Sequence, residues 1–267
     1  MSPVATASRS LSRWAWRVRA VGLAGWQVLL LAAQILLLAA LPSSYQRGPQ
    51  RTAVLLNLYQ ATAPLLVWFI VLSALISLVL IRIVVAAATS YGLSQYALEV
   101  LVRTLVLELI PLYTALFVAL RYAMPGAQRV GHLLAGQQRG TEHSDQAVLR
   151  SELLPRALAA MFSMLLLAAI SCVMALLLTY LTVYGFSPWG LPAYTRAVGG
   201  VFTPAMTLIF SLKTFFFSLA VAVVPLAAAA QRGPAGRYSP RSDIGEFARL
   251  FSVLLLIEVL SLLGNYY

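Results

Sequence analysis

Strong charge is scarce in this chain, so each ionisable side chain inside an apolar run carries information. Among 267 residues there are eight acids, eighteen arginines and one lysine. Glu108 stands in the middle of an apolar segment, in Leu107-Glu108-Leu109-Ile110-Pro111. On a helix its neighbours at three and four residues are Thr104, Leu105, Pro111 and Leu112, so no local cation neutralises it. Pro111 removes a backbone donor and predicts a kink beside the acid. The only lysine, Lys213, lies inside another apolar segment, in Ser211-Leu212-Lys213-Thr214. A charge at membrane depth costs on the order of 2.5–3.5 kcal/mol. A mid-span acid and a mid-span lysine on different segments therefore predict either a pair facing a polar cavity or a static ion pair that fixes helix packing. Both readings start from the same chemistry: charge that must find its complement on another helix.

Four further charges lie in the apolar segments. Glu99 and Arg103 are four apart with the acid first, the favourable order for a same-face helical pair, and read as a structural ion pair. Arg82 and Glu258 are other intramembrane charges, with Arg82 able to snorkel towards an interface. No catalytic constellation accompanies them. The chain has no phosphate-binding Gly-x-x-x-x-Gly-Lys-Ser/Thr loop, no Gly-x-Ser-x-Gly and no His-Glu-x-x-His, so it carries neither its own ATP site nor a hydrolase nucleophile. Cys172 is alone, and His132 and His143 are isolated. No metal site is expected.

The elements that must position these residues are membrane spans. Hydrophobic residues make up 61% of the chain and charged residues 10%, with a mean hydropathy of +0.85. Soluble domains carry roughly 25% charged residues. Six stretches are long and apolar enough to cross: about 21–41, 63–88, 97–123, 156–184, 203–230 and 247–264, against a need of roughly 20 residues. Arginine placement decides among them. If the first stretch lies on the cytoplasmic surface, twelve arginines fall inside and one, Arg196, outside. If all six cross with the N-terminus inside, five fall inside and eight outside. The fold class is therefore an all-α integral membrane protein: an N-terminal interfacial helix plus five transmembrane helices. Residues 1–62 form the cytoplasmic N-terminus with that helix, and residues 63–267 form the spanning domain. Arg9, Arg13, Arg17 and Arg19 interleave with Trp14 and Trp16, with Trp26 just beyond, as suits the headgroup level. The segment reads as retained, because its apolar run exceeds a secretory core. The net charge of +11 reads as cytoplasmic retention, not as nucleic-acid binding.

Local signals fill in the rest. Ser94 is expected to cap a helix. Pro125-Gly126 is expected to end one helix and Pro155 to begin the next. Trp189 and Tyr194 are expected in an aromatic belt.

The order and spacing of these motifs resemble the MlaE (YrbE-like) permeases of lipid-transporting ABC systems. The likeness covers about residues 20–264. In that family a core segment reads roughly Arg-Glu-Leu-Gly-Pro-Val, then Ala-Leu and Ala-Gly-Arg. Here Leu107-Glu108-Leu109-Ile110-Pro111-Leu112 leads through Ala115-Leu116 and Ala119-Leu120 to Arg121. Pro155-Arg156 match a Pro-Arg entering the next span. Leu212-Lys213-Thr214-Phe215 looks like the family's late lysine, and Glu258 resembles its acid in the last span, one turn early. Leu107, Ile110 and Leu120 stand where the family has arginine, glycine and glycine. The family's acidic coupling segment is replaced by Thr141-Glu142-His143-Ser144-Asp145-Gln146.

The resemblance implies a transport subunit, not an enzyme, in a bacterial inner membrane with its N-terminus cytoplasmic. It implies a homodimeric or heterodimeric permease, a separate ABC ATPase carrying the ATP and Mg, an MCE-type substrate-binding protein and a lipid substrate, with no cofactor in this chain. Glu108, Lys213 and Pro111 would then face the substrate cavity. The segment 124–155, with Gln137, Arg139, Glu142 and Asp145, would couple to the ATPase. The alternatives are an ion- or proton-coupled secondary carrier in which Glu108 titrates, and a non-transporting membrane scaffold.

Overall fold

The computed structural model describes residues 25–40, 48–137, 152–231 and 240–266. An apolar helix α1, Gly25–Ala40, comes first. Its described part is roughly 24 Å long at ~1.5 Å per residue. Helix α2 (Gly48–Ser90) follows. A continuous rod then runs through α3 (Ser94–Leu101), a π-helical turn (Val102–Leu109), α4 (Ile110–Val118), a second π turn (Ala119–Ala123) and α5 (Met124–Gln137). Next come α6 (Leu154–Tyr184), the short α7 (Leu191–Val201), α8 (Pro204–Gln231) and α9 (Pro240–Tyr266). Five helical stretches are long and apolar enough to cross a membrane: Arg51–Ser90, Tyr96–Leu133, Leu154–Tyr184, Pro204–Ala230 and Ile244–Gly264. These are the five spans expected from hydropathy and arginine placement.

Pro125-Gly126 does not end a helix, contrary to the expectation. The reason lies one turn earlier. A proline inside a helix lacks an N–H and crowds the carbonyl four residues back. Each proline in this rod sits just past a widened turn. The Ile110 N–H reaches the Leu105 carbonyl, and the Met124 N–H reaches the Ala119 carbonyl, both five residues back. The extra residue per turn makes room for Pro111 and Pro125, and the rod continues. Ser94 is likewise no cap: Leu93 holds that position, without a side-chain bond to the helix. Pro155 does sit in the first turn of α6, where its missing donor costs nothing.

The described core is stacked in three layers along the bundle. At the end carrying α1, Ala32 and Ile35 pack on Ala127 and Val130 of α5, Ala157 and Ala160 of α6, and Ala222 and Leu226 of α8. Phe69, Val118, Met164, Phe217 and Leu254 fill the middle. Ile81, Leu101, Val106, Ile110, Ala175 and Tyr194 fill the end carrying α7. Apolar side chains gain little by leaving lipid for protein, so close packing and hydrogen bonds must hold helices together. Alanines supply the close approach. Ser163 donates to the Ala61 carbonyl at 2.8 Å, and Ser73 and Tyr113 share a hydrogen bond at 2.7 Å. These tie α2 to α6 and α4, each bond worth about 0.6 kcal/mol on average.

The turn between α6 and α7 is tightly built. Gly185 ends α6 at φ 66°, ψ −149°, a region open essentially to glycine. Tyr180 donates to the Ser187 carbonyl. A Cβ on Gly190 would lie 2.6 Å from Cδ1 and 3.0 Å from Cβ of Tyr184. Gly190→Ala must displace that ring, which itself packs on Tyr180 and Tyr194 at 5.7 and 6.2 Å. We expect a loss of about 1–3 kcal/mol, read as a lower melting temperature of the detergent-purified chain. Tyr194 is not in an aromatic belt. It is 8% exposed and its hydroxyl donates to the Leu176 carbonyl at 2.8 Å. Burial first, and Tyr184 second, push its phenol up to about 12, so it remains a donor. Trp189, by contrast, is 91% exposed.

Candidate functional site

Three spans converge on one ammonium group. Lys213 is the tenth residue of α8, roughly 14 Å from its start at ~1.5 Å per residue. Its Nζ donates to Glu108 Oε2, from the first π turn, and lies 2.9 Å from Glu258 Oε2 of α9. It also donates to the Leu107 carbonyl at 3.1 Å. The Phe217 ring, one turn along α8, lies 5.8 Å from Nζ, within range of a cation–π attraction. The lysine side chain is 2% exposed, against 16% for Glu108 and 12% for Glu258. The cluster lies where the middle and α7-end layers meet: Phe217 and Leu254 belong to the first, Leu107 and Ile110 to the second.

Each partner has a local reason. In an α-helix the Leu107 carbonyl would accept from the amide of residue 111, but that residue is proline and has no N–H. Lys213 supplies the missing donor. The π turn places Glu108 on the side facing α8, and such turns concentrate at functional sites. Pro111 thus acts on the site by freeing a carbonyl. Pro111→Ala would restore the helical donor and make it compete with Lys213 for that carbonyl. We expect thermal stability within about 1 kcal/mol of wild type, since one hydrogen bond replaces another, and a measurable fall in activity.

Glu108 and Lys213, singled out from sequence, are brought together. Glu258 joins them, which the sequence reading did not foresee. The acid in the last span was visible, but its direction was not. Glu99 and Arg103 do not pair. Glu99 is exposed on α3, and Arg103 is half-buried in the π turn with no partner for its Nε. No ion pair links them among the described residues. The hydrogen-bond register changes at Val102, between the two, so the α-helical four-residue geometry assumed for them does not hold. Arg82 is exposed on α2. Gln137 ends α5, while Arg139, Glu142 and Asp145 lie outside the described residues. A further ion pair, Arg156–Glu152 at 3.0 Å, stands at the start of α6.

Two hollows lie away from the charged cluster. A small one is lined by Tyr122, Gly126, Arg156 and Leu226, among others. The larger is apolar, with a volume of about 340 Å³, between α2 and Phe162 of α6.

Five apolar spans, three of them joined by a buried ionic cluster, define a multi-pass membrane protein. The family model described as Permease MlaE matches residues 54–238, more than half of the chain, and the chain belongs to the MlaE permease family. The match runs from α2 into the stretch beyond α8. It includes Glu108 and Lys213 and stops short of Glu258. The family makes this an ABC-type permease, a transport subunit in place of an enzyme. No curated protein matches the chain.

Proposed function

We propose that this chain is the membrane-spanning subunit of an ABC transporter that moves phospholipid or a related lipid between the inner membrane and the cell envelope. It works as a dimer, of two copies or of one copy beside a close relative. A separate ATPase binds ATP and Mg on the cytoplasmic side, and an MCE-type protein receives or delivers lipid outside. The observation that carries this reading is the Glu108–Lys213–Glu258 cluster inside an MlaE-family chain: a polar centre that ties three spans together, in the half of the bundle nearer α7.

The rod Ser94–Gln137 supports a route for coupling. Its α5 end leads into the segment holding Arg139, Glu142 and Asp145, and its first π turn holds Glu108. A push on the segment would travel along one helix to the ionic cluster. Two widened turns, each followed by a proline, are the places where that helix can change register. Lys213 and its two carboxylates would brace one arrangement of the spans around a lipid cavity at the dimer interface. ATP binding would supply the differential energy that favours the other.

The test is an affinity isolation of the full chain from its own membrane in mild detergent, with mass spectrometry of proteins and lipids. An ATPase with a phosphate-binding loop and an MCE-type protein should co-elute in stoichiometric amounts. Recovery of the chain alone in several detergents would contradict the proposal.

A further inference from the structure

Two carboxyls meet one ammonium, and they are not held alike. Lys213 Nζ donates to Glu108 Oε2 and to the Leu107 carbonyl. Glu258 Oε2 lies 2.9 Å from the same Nζ, but that oxygen is buried and no donor is aligned on it. Its helix fixes it there. Leu250, Leu254 and Ser261 are buried, and with Glu258 they recur at helical spacing, so the carboxyl sits on the face of α9 that packs into the bundle. It also comes within hydrogen-bonding reach of the Glu108 carboxyl.

The neighbouring helices bring little other charge to Glu258. Helix α8 has no ionisable side chain besides Lys213. On the rod, Arg103 stands five residues before Glu108 and forms no ion pair among the described residues. Tyr113 stands five residues after Glu108, and its hydroxyl is bonded to Ser73 of α2. On α9 itself the nearest ionisable groups are Tyr266 and Arg249, eight and nine residues away, roughly 12 Å or more along the axis at ~1.5 Å per residue. Two carboxyls in contact cannot both ionise cheaply, least of all at membrane depth. We infer that the cluster binds one proton, carried on Glu258 and directed at the Glu108 carboxyl, so that a neutral acid packs beside the Glu108–Lys213 ion pair. This proton is a resident ligand of the folded arrangement. It needs no gradient, and the inference is independent of what the chain transports. Unfolding releases it, because a solvated glutamic acid ionises near about pH 4.3. Above that range the folded chain binds one proton more than the unfolded chain, so stability falls as pH rises.

The test is infrared difference spectroscopy of the full chain in nanodiscs at about pH 6, where a solvated carboxyl is ionised. Wild type minus Glu258→Gln should show the C=O stretch of a protonated carboxyl, shifting in D2O. Wild type minus Glu108→Gln should show the same band, because the remaining acid then pairs with Lys213 and gives up the proton. Glu246, another buried acid, cancels in both differences. In detergent, the unfolding constant of wild type should rise about tenfold per pH unit above about pH 5, relative to either variant. If one variant fails to fold, the other suffices, since each removes one of the two carboxyls. Difference spectra that contain carboxylate bands alone would overturn the proposal. So would parallel pH profiles of wild type and variants, or a wild type stabilised by sodium over choline at equal ionic strength, which would put a metal cation in the place of the proton.

Discussion

Replacing Lys213 with methionine is expected to abolish transport and to destabilise the chain by about 3–5 kcal/mol, the range for removing one partner of a buried ion pair. Methionine keeps the length and the apolar stem, so the loss isolates the ammonium. Glu108 and Glu258 would be left facing each other at membrane depth with no cation between them, and the Leu107 carbonyl would lose its donor. Lys213→Arg should recover part of the stability. Its charge is right, but a planar guanidinium does not replace a compact ammonium held by three acceptors. Thermal unfolding in detergent and lipid transfer in proteoliposomes read the two effects separately. A methionine variant with wild-type melting and transport would show that the cluster has no role in either.

Neutralising the two acids together is expected to cost far more than the sum of neutralising each alone. Glu108→Gln leaves Lys213 paired with Glu258, and Glu258→Gln leaves it paired with Glu108. Each single variant therefore keeps one carboxylate for one ammonium, and should lose no more than about 1 kcal/mol, the net worth of an ordinary hydrogen bond. The double variant leaves the ammonium with a carbonyl and a ring face, and should lose about 3–5 kcal/mol. The excess, measured as a double-mutant cycle, should exceed about 1 kcal/mol, as for residues sharing one network. Strict additivity would mean that the acids do not share Lys213.

The span count was legible because two signals combine: six apolar runs are long enough to cross, and arginine placement, twelve against one when the first run does not cross, selects five of them. The Glu108–Lys213 pairing was legible from cost alone, since each charge lacked a complement on its own helix. Glu258 was visible as a buried acid, yet its azimuth depends on how α9 packs on α8, which no pattern within one segment encodes. The π turns were illegible for a different reason. A proline reads as a breaker, and the single extra residue that accommodates it leaves no mark on hydrophobic periodicity. That one omission accounts for two misreadings, the expected helix end at Pro125-Gly126 and the expected Glu99–Arg103 pair. Tyr194 was read as a belt residue by type. Its hydroxyl finds the Leu176 carbonyl instead, and Trp189 alone takes the exposed position expected of the two.

The most direct measurement is lipid transfer in proteoliposomes containing the co-purified transporter, followed with a fluorescent phospholipid and ATP supplied on the ATPase side. The account predicts transfer that requires ATP hydrolysis, persists when any proton gradient is collapsed, and is lost in Lys213→Met while the ATPase subunit remains bound. Transfer that proceeds without ATP, or that a proton gradient alone drives, would contradict it.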